Sequence, residues 1–432
     1  MSGHRLLPRL LADLDPGGQP MTLAEHLRVH GETPMSAGPE LIDEIERAGL
    51  RGRGGADFPT ARKMRAVATR GRGGRSRGRG SRASAVIVNG SETEPASGKD
   101  RLLLSMLPHL VLDGAVLAAV AVGAPEVVVK VGENARGSLR ALDGAIAVRP
   151  EDPVRVRVVG APEGYVTGEE SAVVNYLNAG ASLPTLVPPR PYERGYRGRP
   201  TLIQNPETLA QVALIARFGA HWFRELGTTA DPGSALVTIS GAVNDPGVYE
   251  LAFGTPLIDL LAAAGGASEP LQALLVGGYF GTWVDSARAF KLRLARDDLR
   301  SVGCSLGSGV LIGLGESACG LHESARVIDY MAAESAGQCG PCVHGLRAVA
   351  DSVAALAQGV ADPRQRDRAL RWAGEITGRG ACHHPNGAVR FVASALSVFA
   401  TDIDAHRDGP CTAPPAGLPL GPGRAGLLRG RR

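Results

Sequence analysis

Three short apolar runs restrict the fold of this chain more than any other feature. Ala85-Val86-Ile87-Val88-Asn89, Val127-Val128-Val129-Lys130-Val131 and residues 154–159, where Val and Arg alternate, read as strands, with a helical run at 107–122 between the first two. Strands joined through helices pair in parallel, because a parallel connection has to carry the chain back to the starting edge. The pattern predicts an α/β region built on a parallel sheet. Ligands of such sheets sit at the carboxyl ends of the strands, which directs attention to the residues just after each run.

The texture changes near Asp231-Pro232-Gly233. Residues 235–240 and 248–251 read as strands joined by the turn Asp245-Pro246-Gly247, and 257–264 as a short helix closed by Gly265-Gly266. That is a small α+β module. From Glu323 almost to Arg407 the pattern is helical. At the other end, 40–48 is a short helix followed by a glycine-rich loop at 51–56. Residues 1–34 show weak periodicity and read as an extension, 70–84 as a disordered Arg/Gly/Ser insertion, and 409–432 as a loose tail. With 432 residues, two to four domains are expected.

Charge and cysteine usage exclude several classes. The net charge of +4 is small for this length, and the basic insertion has no interleaved aromatics, so a nucleic-acid partner is not indicated. All six cysteines lie in the last third, which suits a reducing compartment and a local metal site rather than a secreted disulfide framework. The apolar stretch 110–131 is interrupted by Asp113, Pro125 and Glu126 and is too broken to span a membrane. The expectation is a soluble cytoplasmic protein.

Four motifs carry chemistry. Leu50-Arg51-Gly52-Arg53-Gly54-Gly55-Ala56-Asp57-Phe58-Pro59-Thr60 has the glycines that let backbone amides cradle a phosphate, with arginines beside them. Asn89-Gly90-Ser91-Glu92-Thr93-Glu94-Pro95 follows the first strand directly and offers two carboxylates, suited to a ribityl chain, a nicotinamide or a water. Gly164-Tyr165-Val166-Thr167-Gly168-Glu169-Glu170-Ser171 is a turn entering a helix, where acidic residues also favour the helix dipole. Last comes Glu334-Ser335-Ala336-Gly337-Gln338-Cys339-Gly340-Pro341-Cys342, with Cys382 forty positions later. It outlines an iron–sulfur ligand set in which Ala336 stands where the first cysteine belongs.

These motifs, in this order, with Pro188-Pro189, Gly198-Arg199-Pro200-Thr201 and Asn205-Pro206-Glu207-Thr208-Leu209 between them, resemble the flavin- and NADH-binding subunit of respiratory complex I and its relatives in NAD-linked hydrogenases and formate dehydrogenases. The resemblance covers roughly residues 40–405. It implies α/β plus α+β architecture: a Rossmann-like FMN domain over 35–228, a ubiquitin-like β-grasp (SLBB-like) domain over 229–310 and a C-terminal helical bundle over 311–408 that holds the cluster. It implies FMN held by Gly52, Arg53, Gly54, Lys63, Asn89, Glu92, Tyr165, Gly168, Glu169, Glu170 and Asn205. Hydride would arrive over Glu94 and Lys63, and electrons would leave singly through an iron–sulfur cluster on Cys339, Cys342 and Cys382. The partners implied are a ferredoxin-like or thioredoxin-like iron–sulfur protein and a membrane reductase, at the inner face of the membrane.

The chain departs from the family at identifiable points. Ser91 replaces the usual Asp, Gln204 the usual Asn, and Asp57 a Gly, bringing a carboxylate to a loop meant for phosphate. Met64-Arg65-Ala66 lacks the aromatic expected after Lys63, and Val187-Pro188-Pro189-Arg190 lacks a lysine and a second aromatic. Those losses weaken the nicotinamide side and leave NADPH open beside NADH. Ala336 leaves a four-iron cluster with a non-cysteine ligand (His344, His383 or His384), a three-iron cluster, zinc, or no metal. Cys304 and Cys319 read as buried apolar fillers, Cys411 as inert. The rival reading is a non-catalytic scaffold or assembly relative.

Overall fold

The computed structural model describes residues 7–421 apart from 16, 35–37, 73–82, 150–151, 361, 363, 409–410 and 412. Most of the expected Arg/Gly insertion, and residues 422–432 of the tail, therefore lie outside the described residues. Residues 70–72 belong to the helix Thr60–Arg72.

The apolar runs form β1 (Ala85–Gly90), β2 (Glu126–Gly132) and β3 (Arg155–Ala161) of a parallel sheet. A fourth strand, β4 (Thr201–Gln204), completes it in the order β3-β2-β1-β4. Four residues are too few for a periodic signal, and the sequence reading misses β4. Strands β1 and β2 are buried almost throughout, which is why they read as continuous Val/Ile runs. The chain moves from β1 to β2 and β3, then returns to pair β4 on the other side of β1. That reversal opens a crevice at the carboxyl ends of β1 and β4.

Two helices pack together against this sheet, Pro108–Val122 and Pro206–Arg224. Their approach needs Gly114, since a Cβ there would lie 1.8 Å from the Leu209 carbonyl oxygen. The first is buried along nearly its whole length, and among the described residues no single helix is long and apolar enough to cross a membrane.

A second, mixed sheet contains β5 (Ser234–Gly241), β6 (Gly247–Ala252), β7 (Leu271–Val276), β8 (Thr282–Asp285) and β9 (Val310–Gly315) in the order β6-β5-β9-β7-β8. The turn Asp245-Pro246-Gly247 joins an antiparallel pair as expected. Leu257, Leu260 and Leu261 of the helix Leu257–Ala263 cover one face, against Val237, Ile239 and Leu274. The other face, through Ala273, Leu275 and Ile312, shares a core with Val327, Leu346, Val349, Phe391 and Leu396 of the C-terminal helices.

Both ends are more ordered than their composition suggests. The helix Leu23–His30 is capped by Thr22 and Glu25, and its inward residues are His26 and His30 rather than leucines, so hydrophobic periodicity does not reveal it. His26 Nε2 meets buried Asp113 at 2.7 Å. Leu10 enters the main core, and the amides of Arg9, Leu10 and Leu11 donate to the Glu250 carboxylate at 2.7, 2.8 and 3.2 Å. The amino-terminal segment is thus packed onto the body. In the tail, Leu418 is buried, Gly417 and Leu418 donate amides to Glu323, and the Pro419 carbonyl accepts from the Tyr279 hydroxyl.

Candidate functional site

The sheet topology gathers the first three motifs at the β1–β4 crevice. Helix Glu40–Ala48 ends at Gly49 in the left-handed conformation, and the chain turns into the 51–57 loop, whose residues 54–56 are exposed. Gly54 lies against Asn205, where an added Cβ would stand 3.2 Å from that of Asn205. Asn205 follows Gln204, whose strand position pairs with Val88. Next to Val88, Asn89 donates its side-chain amide to the Gly168 carbonyl at 2.8 Å. Two residues on, Glu170 pairs with Lys63, which returns the contact path to the helix following the first loop. Loop, strand ends, turn and helix therefore form a closed ring.

At the strand ends of this ring, two side-chain groups have no hydrogen-bond partner among the described residues. Asn89 Oδ1 and Gln204 Nε2 are buried polar atoms without hydrogen bonds. Such atoms cost about 1–3 kcal/mol each when unmatched and commonly mark a ligand or water position. The glycines matter for space as well: a Cβ on Gly168 would meet the Thr93 side chain at 3.0 Å.

Asp57 does not obstruct the loop electrostatically. Its carboxylate is held by Arg51 Nε at 2.9 Å and Arg296 Nε at 3.0 Å, so its charge is compensated locally. Asn205 caps the helix Pro206–Arg224 through the Glu207 amide, while Asp100 and Lys99 fix its side chain at 2.6 and 3.3 Å. Despite burial, Asp100 and Glu207 hold the Lys99 ammonium above its ordinary pKa. The sequence reading misses this support, although Lys99-Asp100 at the start of a helix after the 89–95 loop is a visible signal.

Other expected site residues are turned elsewhere. Arg53 is buried, donates to the Ser234 carbonyl at 3.1 Å and lies over Phe253. Glu92 accepts the amides of Asp100 and Arg101 and the hydroxyl of Ser97, capping the helix Lys99–Met106. Glu94 accepts the Tyr279 amide at 2.7 Å and the Tyr165 hydroxyl at 2.8 Å. Burial nevertheless pushes its pKa up to about 7. Glu94 and Lys63 share no hydrogen bond: Lys63 bonds to Glu170, Glu94 to Tyr165 and Tyr279. Beside the 91–95 loop is a cavity of about 240 Å³, lined by residues that include Glu94, Glu163, Tyr330, Glu334, Leu420 and Gly421.

Lys130 joins the site without a sequence signal. It lies on β2 beside Asn89, fully buried, and donates to Ser91 Oγ at 2.5 Å and the Thr167 carbonyl at 3.2 Å. Burial pushes its pKa down to about 8, and among the described residues no carboxylate pairs with it.

The cysteine region packs directly on this site. Tyr165 donates its amide to Glu334 at 2.9 Å, and its ring lies 5.6 Å from that of His384. Glu334 precedes Ala336 by two positions, and His384 follows Cys382 by two. Burial raises the Cys342 thiol to about 12, with Cys339 and Cys382 adding to the effect. Slight burial works against the Cys339 thiolate, but the amides of Ala381 and Cys342 outweigh it and hold Cys339 below its ordinary value. Burial raises Cys382, helped by Glu169 of the 164–171 turn and by Cys339. The three thiols therefore lie close enough to influence one another. Of the nearby histidines, His384 is buried with Nε2 at the Met331 carbonyl, and His344 and His383 are exposed.

Cys304 is buried in the mixed-sheet core, as expected. Cys319 is likewise buried among apolar side chains, as expected; it and Cys411 also lie beside His406, because the tail returns to the start of the helix Gly320–Ala333.

Comparison with known proteins gives a consistent picture. Residues 45–214 match the Nuo51 FMN-binding domain, 236–278 the SLBB domain, and 315–406 the NADH-ubiquinone oxidoreductase-F iron-sulfur binding region. The NADH-quinone oxidoreductase F subunit of Rickettsia bellii (strain OSU 85-389) is 31% identical over 382 residues, covering 85% of this chain and 89% of the relative. The corresponding F subunit, number 2, of Rhizobium meliloti (strain 1021) is 28% identical over 382 residues, covering 85% and 88%. An NAD+-reducing [NiFe]-hydrogenase crystal structure in the air-oxidized state superposes with a TM-score of 0.79 at 29% identity. The match covers 88% of this chain but only 65% of that hydrogenase chain.

Proposed function

The chain belongs to the family of NADH-quinone oxidoreductase F subunits, and from that premise we propose that it is the NADH-oxidising, electron-entry flavoprotein of a multi-subunit redox complex. The observation that carries the reading is the Tyr165 turn, one side of which belongs to the crevice ring while the other contacts Glu334 and His384 beside the cysteines. Electron transfer requires a flavin site and a cluster site to adjoin, and this turn belongs to both.

The parallel-sheet region is read as a Rossmann-like FMN domain, the mixed sheet as a β-grasp domain, and the C-terminal helices as the cluster domain. FMN, when bound, supplies an acceptor that takes two electrons from NADH and releases them singly. The protein's own part is to bind and orient. The Gly52 and Arg53 amides are taken by the Phe58 carbonyl and the Thr208 hydroxyl, so the amides of Gly54 and Gly55, with the N-terminus of the helix Pro206–Arg224, are the ones that suit a phosphate. Asn89 Oδ1 can accept, and Gln204 Nε2 can donate, a hydrogen bond at a polar chain or ring. Lys63, paired with Glu170, would supply a cation for the dinucleotide. Glu94, buried and locked by Tyr165 and Tyr279, holds an acceptor whose protonation changes near neutrality.

Cys339, Cys342 and Cys382 hold the iron–sulfur cluster, with the position of Ala336 filled by a non-cysteine ligand or left without iron. The partner is an iron–sulfur protein of the same complex. A scaffold role is disfavoured, because the unmatched polar atoms and the glycine approaches of the crevice persist where a scaffold has no use for them.

The test is anaerobic purification with flavin, iron and sulfide counted, followed by addition of NADH. Bound FMN that bleaches with NADH supports the assignment. A colourless protein that takes up neither FMN nor iron on reconstitution sinks it.

A further inference from the structure

We propose that Cys319, His406 and Cys411 form a second metal site that binds one Zn2+, with Asp402 beside Cys319 as the adjacent carboxylate, and fastens the C-terminal segment to the body. One ligand atom from each of Cys319, His406 and Cys411 lies within 4.8 Å of the other two. Cys319 Sγ stands 3.4 Å from His406 Nε2. With Zn–S of about 2.3 Å and Zn–N of about 2.0–2.1 Å, a tetrahedral ion requires an S···N edge of about 3.5 Å. Asp402 Oδ2 is 3.7 Å from the same sulfur and lies one helical turn before His406 on the helix Ala400–Asp408.

Burial and chemistry point the same way. Cys319 and His406 are 7% and 6% exposed. Among the described residues, His406 Nδ1 is buried with no hydrogen-bond partner, and its other nitrogen has a thiol beside it. Sulfur is a weak hydrogen-bonding group, so Nε2, whose neighbour is the Cys319 thiol, is poorly matched until a cation arrives. Two thiolates, an imidazole and a carboxylate suit zinc rather than magnesium or calcium. On binding, Zn2+ displaces the two thiol protons to solvent and no electron moves.

The ligands come from separate parts of the chain. Cys319 caps the helix Gly320–Ala333, Asp402 and His406 lie on the last helix, and Cys411 is in the irregular segment beyond it. That segment continues to Leu418 and Pro419, bonded to Glu323 and Tyr279, and to Leu420 and Gly421 at the cavity beside Glu94. The ion would hold in place the segment that contributes Leu420 and Gly421 to the lining of that cavity.

The experiment is zinc and iron analysis of the full chain after Zn2+ supplementation and gel filtration, with Co2+ as a spectroscopic substitute. About one zinc per chain is expected, with thiolate-to-cobalt charge-transfer bands in the Co2+ form. Cys411→Ser, in an irregular half-exposed segment, and His406→Asn should each lose the zinc and the bands while iron is unchanged. The triple variant Cys339→Ser, Cys342→Ser, Cys382→Ser should lose iron and keep zinc. A wild-type chain that takes up no zinc, a Cys319→Ser, Cys411→Ser double variant that keeps it, or zinc lost with the triple variant overturns the site.

Discussion

The crevice and the cysteine region answer substitution in opposite ways. In the crevice, two departures from the family pattern have found partners, while Gln204 keeps an unmatched Nε2: Ser91 receives Lys130, and Asp57 sits between Arg51 and Arg296. In the cysteine region Ala336 has no ligating atom to offer, and the buried histidine nearby is turned to the Met331 carbonyl. The first site is made mostly of backbone amides, glycines and strand ends, which any sequence that keeps the fold will present. The second is made of side-chain atoms, and one missing sulfur cannot be supplied by the backbone.

The comparison breaks most sharply at Cys342. Cys342→Ser should abolish iron and sulfide binding while FMN stays at full stoichiometry; loss of both cofactors together would mean that the regions are not separable. Next is Lys130→Met. A lysine lowered from 10.5 to about 8 by burial opposes folding at pH 7 by at most about 3 kcal/mol. Because the unfolded chain binds the extra proton between those values, wild-type stability should rise from pH 8 to about 10.5. The Met variant should melt higher at pH 7 and lose that slope; an unchanged slope refutes the assignment.

Smaller effects sharpen the contrast. Ala336→Cys should raise iron and sulfide toward about four each per chain, the cubane pattern; no gain would show that more than one sulfur is wanting. Glu94→Gln tests the wall of the cavity beside the 91–95 loop. With its folded pKa raised to about 7, Glu94 favours folding below its ordinary 4.5 and loses that contribution as pH rises to 7. Stability of the wild type relative to the Gln variant should therefore fall across that window in urea titrations. Least of all, Asp57→Asn should change FMN affinity by less than about fivefold, since paired, half-exposed charges are worth about 1 kcal/mol or less.

What the sequence makes legible divides along the same line. The parallel strands are legible because strands buried on both faces read as unbroken Val/Ile runs, and the helix at Asn205-Pro206 because cap chemistry is local. Strand β4 is too short to carry a period, and the helix Leu23–His30 is hidden because it buries histidines. The ring of motifs follows from their order. The inward turn of Arg53 and the meeting of Cys319 with Cys411 are not legible, because each depends on contacts across long stretches of chain. The capping role of Glu92 is hidden for another reason: its carboxylate serves the next helix, whose start carries no strong cap residue of its own.

The clasp of Arg9, Leu10 and Leu11 on Glu250 has a consequence for biosynthesis. These early residues leave the ribosome with their acceptor some 240 positions downstream. At translation rates of about 5–20 residues per second they wait about 10–50 s, unpaired, beside a growing nascent chain. The α/β region thus keeps three amide donors unmatched until the strand that carries Glu250 has been synthesised.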